Sequence, residues 1–291
     1  MQSFKLVSMM AANADPFYRA LAGWLNRRLG VEITVEDRVP WRERERMLDR
    51  GDAHVGFLCG LTYVRKIDGA GPELELLAAP VMEGRRYAGR AVYFSDIVVH
   101  RDSVFRSFDD LRGASWLYNE PGSHSGYTLP LCHLARRGEY DGYFRRAVQS
   151  GSHQESLRLV AHGHVDAAAI DSIVLKRERL LGSSAAMSVR VIETLGPSPA
   201  PPAVVHPSVP AAVRARLARL LTTMQDDALG REVLRSAGTS RFVPVSDSDY
   251  DSIRHAAAVA ARARWCSRIR RESGGGRVAA SRTLASSATT G

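Results

Sequence analysis

The sequence predicts an α/β fold of two lobes, with mostly parallel sheets flanked by helices. Segments with strand and helix periodicity alternate along the chain, which is typical of parallel strands joined by helices. The chain has 291 residues, of which 45% are hydrophobic and 24% are charged, enough for one large domain or two smaller lobes. A proline-rich stretch, Gly196-Pro-Ser-Pro-Ala-Pro-Pro202, cannot continue a helix or a central strand, so we interpret it as a crossover between lobes.

The first 100 residues contain two predicted helices among several strands. A short apolar run over residues 4–9 precedes a helix over Asp15–Leu29, whose apolar residues recur on one face. Asp15 and Pro16 are typical of a helix start, and Gly30 is typical of a helix end. A second helix is predicted over residues 41–51, and strands are predicted at 31–35, 54–58, 74–79 and 91–100.

The same alternation continues in the rest of the chain. The sequence predicts strands at 114–118, 165–170 and 189–194 and helices at 125–137, 154–162 and 171–180. Three further helices are predicted at 210–225, 229–237 and 247–264. Residues 266–291 are rich in Ser, Gly, Ala and Arg, and we predict a disordered basic tail there.

The charge of the chain is concentrated at its end. The formal net charge is +9, and seven Arg with one Glu in residues 262–291 supply +6 of it. The basic character therefore does not predict a nucleic-acid partner, apart from nonspecific contact by the tail. The three cysteines, Cys59, Cys132 and Cys266, show no Cys-x-x-Cys spacing, so we expect no zinc site, no metal and no disulfide framework.

No run of about 18 apolar residues occurs, so no transmembrane segment is expected. The first ten residues lack the charged and apolar pattern of a secretory signal. As written, the sequence predicts a cytoplasmic protein. The alternative is a periplasmic or cell-surface protein whose true N-terminus is missing.

One candidate site lies in Asn119-Glu-Pro-Gly-Ser-His-Ser-Gly-Tyr127, which follows Asp110-Leu-Arg-Gly113 and a predicted strand. A helix begins near Ser125, and the free N–H groups of its first turn, with the hydroxyls of Ser123 and Ser125, can bind an anion. The alternative is that either serine only caps the helix.

A second candidate site lies in Gly151-Ser-His-Gln-Glu-Ser156 and the buried strand that follows Gly163-His-Val-Asp166. Asp171 stands at the carboxyl end of that strand, where ligands bind in open α/β sheets. The alternative is that Asp171 caps the next helix.

These segments resemble the PhnD-type family, the phosphate, phosphite and phosphonate binding components of ABC transporters. Gly51-Asp-Ala-His-Val-Gly-Phe-Leu58, followed by Tyr63, resembles an N-terminal motif of the same family. The resemblance implies a type II periplasmic-binding-protein fold with a hinge and a cleft between lobes. It places residues 1–94 and 197–265 in the first lobe and residues 95–196 in the second.

The resemblance also implies roles for matched positions. Ser123, His124 and Ser125 match the helix-start triplet that grips the anion. Beyond the triplet, Tyr63 matches an aromatic from the first lobe, and Tyr93 is implied as a hinge-side contact. His153 matches the histidine of Gly-Ser-His, and Asp171 resembles an acidic group that meets an amino group of the ligand. Ordinary packing is the alternative for the two tyrosines.

Two substitutions set this chain apart from the family pattern. His124 stands where the family has a central Thr, and His54 replaces an Asp. In addition, Glu120 brings a carboxylate close to the predicted anion site, which costs affinity unless it is paired or turned away. A zwitterionic, cationic or neutral ligand therefore stays an alternative to a phosphonate.

The resemblance implies a solute-binding protein that takes a small polar ligand for ABC-type uptake, with a permease as partner if the protein is exported. We expect a monomer without cofactors. The Ser-His pairs lack the Gly-x-Ser-x-Gly turn of a hydrolase, so no catalytic residue is predicted. The alternative is a cytoplasmic enzyme or ligand sensor of the same fold, as in menaquinone or thiamine-precursor biosynthesis.

Overall fold

A computed structural model describes residues 3–265, so the predicted tail at 266–291 lies outside the described residues. The strands, in chain order, are β1 (Ser3–Ser8), β2 (Glu32–Glu36), β3 (Val55–Phe57), β4 (Glu75–Met82), β5 (Val92–His100), β6 (Ser115–Tyr118), β7 (Arg146–Gln149), β8 (Ala167–Asp171), β9 (Val189–Pro199), β10 (Ala203–Val205) and β11 (Thr239–Val243).

The α-helices, in chain order, are α1 (Asp15–Leu29), α2 (Trp41–Arg50), α3 (Gly60–Ile67), α4 (Leu129–Arg136), α5 (His153–Ala161), α6 (Ser172–Leu180), α7 (Ser184–Met187), α8 (Ala211–Thr222), α9 (Ala228–Ser236) and α10 (Asp251–Ala260). Helices and strands alternate through most of the chain, which confirms the predicted α/β class.

The strands form two separate sheets, one for each lobe. The first sheet has the strand order β11-β4-β10-β3-β1-β2, and the second has the order β7-β6-β8-β5-β9. The chain crosses from the first sheet to the second between β4 and β5. It returns between β9 and β10, through the proline-rich stretch that predicted a crossover.

Both sheets are mixed, so the prediction of mostly parallel sheets is wrong in that respect. In the first sheet β1 pairs in parallel with β2 and β3, while β10 is antiparallel to β3 and β4, and β11 is antiparallel to β4. In the second sheet β6 is parallel to β7 and β8, whereas β5 is antiparallel to β8 and β9. The chain leaves the first lobe after β4, enters the second at β5, leaves it after β9 and returns at β10. Because the returning chain runs in the opposite direction, β9 is antiparallel to β5 and β10 is antiparallel to β4.

Helix α1 confirms the predicted helix over Asp15–Leu29, and its buried face packs on the first sheet. Gly30, with φ of 68°, ends the helix in the left-handed conformation that glycine adopts readily. Ala14, at the end of a short 3₁₀ turn, occupies the N-cap position, so Asp15 is the first helical residue and not the cap that its residue type favours.

The helix predicted over residues 125–137 has an unusual start. It begins as a π-helical turn over His124–Thr128 and continues directly as α4. The proline-rich stretch is also more ordered than predicted, since its first residues extend the edge strand β9. An edge strand tolerates proline because one side of its ladder needs no donor.

The end of the described chain touches both lobes. Helix α10 packs on α3 of the first lobe, and its alanines also pack on α4 of the second lobe. Trp265 stacks on Tyr118 with ring centroids 5.8 Å apart and planes 8° from parallel. Residues 256–265 therefore form a third connection between the lobes, beside the two chain crossings. Within residues 3–265, none of the helices combines the length and apolarity needed to cross a bilayer.

Candidate ligand-binding cleft

A cleft lies where the carboxyl ends of parallel strands from both lobes face each other. In the second lobe β6, β7 and β8 end at this edge, and in the first lobe β1 and β3 end there. The residues that follow these strands line a cavity of about 960 Å³. This is the place where open α/β sheets bind ligands, because the loops there are free of sheet pairing.

Two serines of the predicted anion site lie in the wall of this cleft. Ser123 is the N-cap of the π-helical turn, and its Oγ accepts a hydrogen bond of 3.0 Å from the backbone N–H of Gly126. The capping alternative is therefore correct for Ser123, but capping and lining the cleft are compatible. Ser125 lies in the first turn of the helix, where backbone N–H groups lack intrahelical acceptors.

His153 lies beside Ser125, at the start of α5. The Oγ of Ser152 caps α5 by accepting from the N–H of Glu155 at 3.0 Å, which places His153 at the first helical position. The Nε2 of His153 is 3.3 Å from the Oγ of Ser125. Burial lowers the pKa of His153 to about 4, so the ring is neutral at pH 7. Within residues 3–265 its Nδ1 is buried and has no hydrogen-bond partner.

Asp171 ends β8 and also lines the cleft. Its Oδ1 accepts from the N–H groups of Ile173 at 2.7 Å and Val174 at 3.4 Å, so the capping alternative is correct for Asp171. Burial raises the pKa of Asp171 to about 7, although these two hydrogen bonds and the charge of Arg177 oppose the change. Near neutral pH both the protonated and the charged form of the carboxyl are therefore accessible.

Three predicted residues do not belong to the cleft wall. Tyr63 packs in the core of the first lobe, 5.0 Å from the ring of Tyr250, and its hydroxyl donates to Asp247 Oδ1 at 3.0 Å. The neighbouring Thr62 lines the cleft instead. A one-residue step along α3 turns the side chain by about 100°, so the packing alternative is correct for Tyr63.

His124 is fully buried behind the turn, with Nε2 3.0 Å from the Oγ of Ser198. Burial lowers the pKa of His124 to about 3, so it carries no charge with which to hold an anion. Tyr93 is also buried, with its ring 6.4 Å from that of His124, and its hydroxyl has no partner among residues 3–265. The structure thus brings together Ser123, Ser125, His153 and Asp171 at the cleft, and places Tyr63, Tyr93 and His124 behind its walls.

Charged residues of the first lobe complete the wall. Lys66 is held by Glu45 at 2.9 Å and Asp49 at 2.6 Å, and all three line the cleft. Glu120 faces them from the second lobe; burial raises its pKa, and the charge of Arg42 acts in the opposite direction. The carboxylate that the sequence places near the anion site therefore does border the cleft.

Arg44 also lines the cleft, and the sequence did not single it out. Its Nη1 donates to the carbonyl of Ser8 at 2.7 Å, and the residue is 8% exposed. The alternating charges of residues 42–46 indicate an exposed surface. The missed signal is the spacing of Arg44 to Met47 and Leu48, which places all three on the buried face of α2. Within residues 3–265, no cluster of three or more His, Cys, Asp or Glu is arranged to hold a metal ion.

The two α/β lobes and the cleft between them are the architecture of a type II periplasmic binding protein. Residues 10–250 match the family described as the periplasmic substrate-binding protein of the phosphonate ABC transporter, and the chain belongs to this family. The PhnD-type resemblance of the motifs is thereby confirmed, and the chain is a substrate-binding protein of an ABC transporter family.

Solved structures show the same fold at low sequence identity. A binding protein component of an ABC phosphonate transporter from Pseudomonas aeruginosa is 18% identical, with a TM-score of 0.78 over 89% of this chain and 87% of that one. PhnD1 from Prochlorococcus marinus, in complex with methylphosphonate, is 15% identical, with a TM-score of 0.78 over 90% and 99%. The periplasmic aliphatic sulphonate binding protein SsuA from Escherichia coli is 14% identical, with a TM-score of 0.58 over 89% and 86%.

Family membership bears on compartment and partners. The family is periplasmic, which agrees with the alternative location and not with the cytoplasmic one that the sequence as written predicts. It also implies a small ligand and a permease partner. The family consists of transporter components, so an enzyme or sensor of the same fold is not favoured.

Proposed function

We propose that this protein binds a phosphonate, or a closely related oxyanion, in its interlobe cleft and delivers it to an ABC permease. The observation that carries the proposal is the meeting of Ser123, Ser125 and His153 at one edge of the second lobe. Hydroxyl groups, a neutral imidazole and two helix starts supply several hydrogen-bond donors and a favourable dipole for an anion. The methylphosphonate bound to the Prochlorococcus protein supports the same class of ligand.

Asp171 extends the proposal to ligands that carry an amino group. The charged form of its carboxyl can accept a hydrogen bond from an ammonium group, and the neutral form does not repel an oxyanion. Tyr93 and His124 support the wall from behind, and Tyr63 stabilises the first lobe. The site that we propose therefore contains fewer of the matched residues than the family resemblance implies.

In the proposed role, the protein acts as a monomer in the periplasm and leaves its ligand unchanged. Closure of the two lobes on the ligand would present a new surface to the permease, a hinge motion that is common in binding proteins. Fractionation of cells that express the full-length gene tests the location. A protein confined to the cytoplasm would contradict the proposed role in uptake.

Isothermal titration calorimetry with methylphosphonate, 2-aminoethylphosphonate, phosphate and sulfate tests the ligand class. We expect a phosphonate to bind with a dissociation constant at least about tenfold below that of sulfate, because a phosphonate keeps an O–H donor near neutral pH for an acceptor such as the Asp171 carboxylate, whereas sulfate has only acceptors. Recovery of the phosphonate unchanged, by ³¹P NMR after a long incubation, separates binding from turnover. If none of the phosphonates binds, the proposed function is wrong.

A further inference from the structure

The first lobe contributes two cations with largely buried side chains to the cleft; Lys66 is held by Glu45 and Asp49, whereas no carboxylate among residues 3–265 lies within hydrogen-bond distance of Arg44. Its side chain is 10% exposed, although it lines the same cavity as Ser125 and His153. Burial of a cation is unfavourable unless hydrogen bonds or an opposite charge compensate it. The groups that surround Arg44 therefore indicate whether its charge serves the fold alone.

Only part of the guanidinium is used within the described residues. Nη1 donates to the carbonyl of Ser8 at 2.7 Å, and Nε is buried without a hydrogen-bond partner among residues 3–265. The edge of the guanidinium formed by Nε and Nη2 makes no hydrogen bond there. This is the edge that presents two parallel N–H groups to a carboxylate or phosphate.

The carboxylates near Arg44 do not occupy this edge. Asp15 lies 3.9 Å from Nη1, which is beyond hydrogen-bond distance, and burial raises the pKa of its carboxyl. Glu45 and Asp49 line the same side of the cleft, but both are held by Lys66. Arg44 is therefore a buried cation with an incomplete set of partners, in the wall of a ligand cleft.

The second lobe supplies donors for one oxyanion without Arg44. Ser123, Ser125 and His153 provide them, on the opposite wall. The cavity of about 960 Å³ is also at the upper end of the range of about 300–1,000 Å³ for small-molecule pockets, and leaves room beyond a single phosphonate group. A ligand that spans both walls can therefore place a second anionic group at Arg44.

We infer that Arg44 binds a second anionic group of the ligand, so that the cleft selects phosphonates that carry a carboxylate. The inference rests on the proposed function, since it assigns the phosphonate to the second lobe and the carboxylate to the first. When each lobe holds one end of the ligand, the distance between the closed lobes depends on the length of the ligand.

Calorimetry with phosphonoacetate and methylphosphonate tests this inference on the wild-type protein. We expect phosphonoacetate to bind at least about tenfold more tightly, the usual effect of a charge-assisted bidentate contact. Equal affinities would overturn the inference and leave the proposed function intact. Absence of binding by both phosphonates would overturn the proposed function and the inference with it.

Variants test whether the preference for phosphonoacetate over methylphosphonate depends on Arg44. Arg44→Met keeps most of the apolar part of the side chain and removes the charge, and we expect it to reduce the preference for phosphonoacetate over methylphosphonate below about threefold. Arg46→Met, an exposed position on the same helix that pairs with Glu43, is the matched control and should keep the full preference. If Arg44→Met weakens both ligands equally, or keeps the preference, the inference is wrong.

A second variant separates the proposed binding role of Arg44 from a structural role. Arg44→Lys keeps the charge but loses the two parallel donors, so we expect a folded protein with a reduced preference for phosphonoacetate. If Arg44→Met does not fold, Arg44→Lys and the wild-type comparison decide together. An unchanged preference in Arg44→Lys would overturn the bidentate contact.

Discussion

Ser125 Oγ lies 3.3 Å from Nε2 of His153, and this contact joins two helix starts of the second lobe. Ser125 follows β6 and His153 follows β7, two strands that pair in parallel. Their carboxyl ends are therefore neighbours, although the two residues are 28 positions apart in the chain. The pair forms the centre of the proposed oxyanion site.

Replacement of Ser125 by Ala tests this centre directly. The variant removes one hydroxyl from the cleft wall and leaves the Nε2 of His153 without its partner. We expect methylphosphonate to bind about tenfold to a hundredfold more weakly, as for the loss of a hydrogen bond to a charged ligand. Calorimetry measures the change. Ser184→Ala, at an exposed position of α7, is the control, and an equal loss in both variants would contradict the role of Ser125.

Gly126 tests how closely the turn must pack. A Cβ at this position would lie 1.9 Å from Oδ1 of Asn119 and 3.1 Å from Cε1 of His153. We therefore expect Gly126→Ala to displace the turn, lower stability by about 1–3 kcal/mol and abolish tight binding.

Gly122 offers a matched control in the same turn. A Cβ there would meet no atom within 4 Å, so Gly122→Ala should stay within about 0.5 kcal/mol of the wild type. Urea unfolding and calorimetry of both variants provide the measurements. Equal stability and affinity of the two variants would show that the close approach at Gly126 is unimportant.

The pKa of Asp171 predicts a pH-dependent difference in stability. Burial raises this pKa from 3.8 to about 7 in the folded protein. Between these values the folded protein keeps a proton that the unfolded chain has lost, so this group makes the protein less stable as pH rises from about 4 to 7. Asp171→Asn removes the effect, and Asn also caps helices well.

We therefore expect the difference in unfolding free energy, Asp171→Asn minus wild type, to increase by about 2–4 kcal/mol from pH 4 to pH 8. Urea unfolding at both pH values measures this difference, from which the shared contributions of His124 and His153 cancel. A difference that does not change with pH would contradict the raised pKa of Asp171.

Trp265 tests the third connection between the lobes. Its ring lies 5.8 Å from Tyr118 and also contacts Tyr127 edge to face, at 5.5 Å. We expect Trp265→Ala to lower the unfolding free energy by about 1–3 kcal/mol, because it removes a large part of this aromatic cluster. Trp265→Phe should retain most of the stability. A loss below about 0.5 kcal/mol in thermal or urea unfolding of Trp265→Ala would show that the stack contributes little.

The sequence alone determined most of the local elements and the class of the fold, although it did not predict β7, β10, β11, α3 or α7. The apolar spacing of α1 defines one buried face, and Gly30 stops the helix, so both bounds follow from neighbouring residues. The motifs around Ser123 and His153 were sufficient for the family, because their order along the chain is characteristic even where each motif is short. Capping of α6 by Asp171 was likewise readable, since a cap depends on the next three residues.

Tertiary structure decided the direction of the strands and the composition of the cleft. Pairing of β10 with β3 and β4 joins residues more than 100 positions apart, and no local pattern specifies whether such a pair is antiparallel. The same limit applies to side chains at the cleft. Thr62 faces the cavity and Tyr63 the core because α3 packs against α10, a helix from the far end of the chain. Arg44 belongs to the cleft for a similar reason, since its burial depends on the carbonyl of Ser8 at the end of β1.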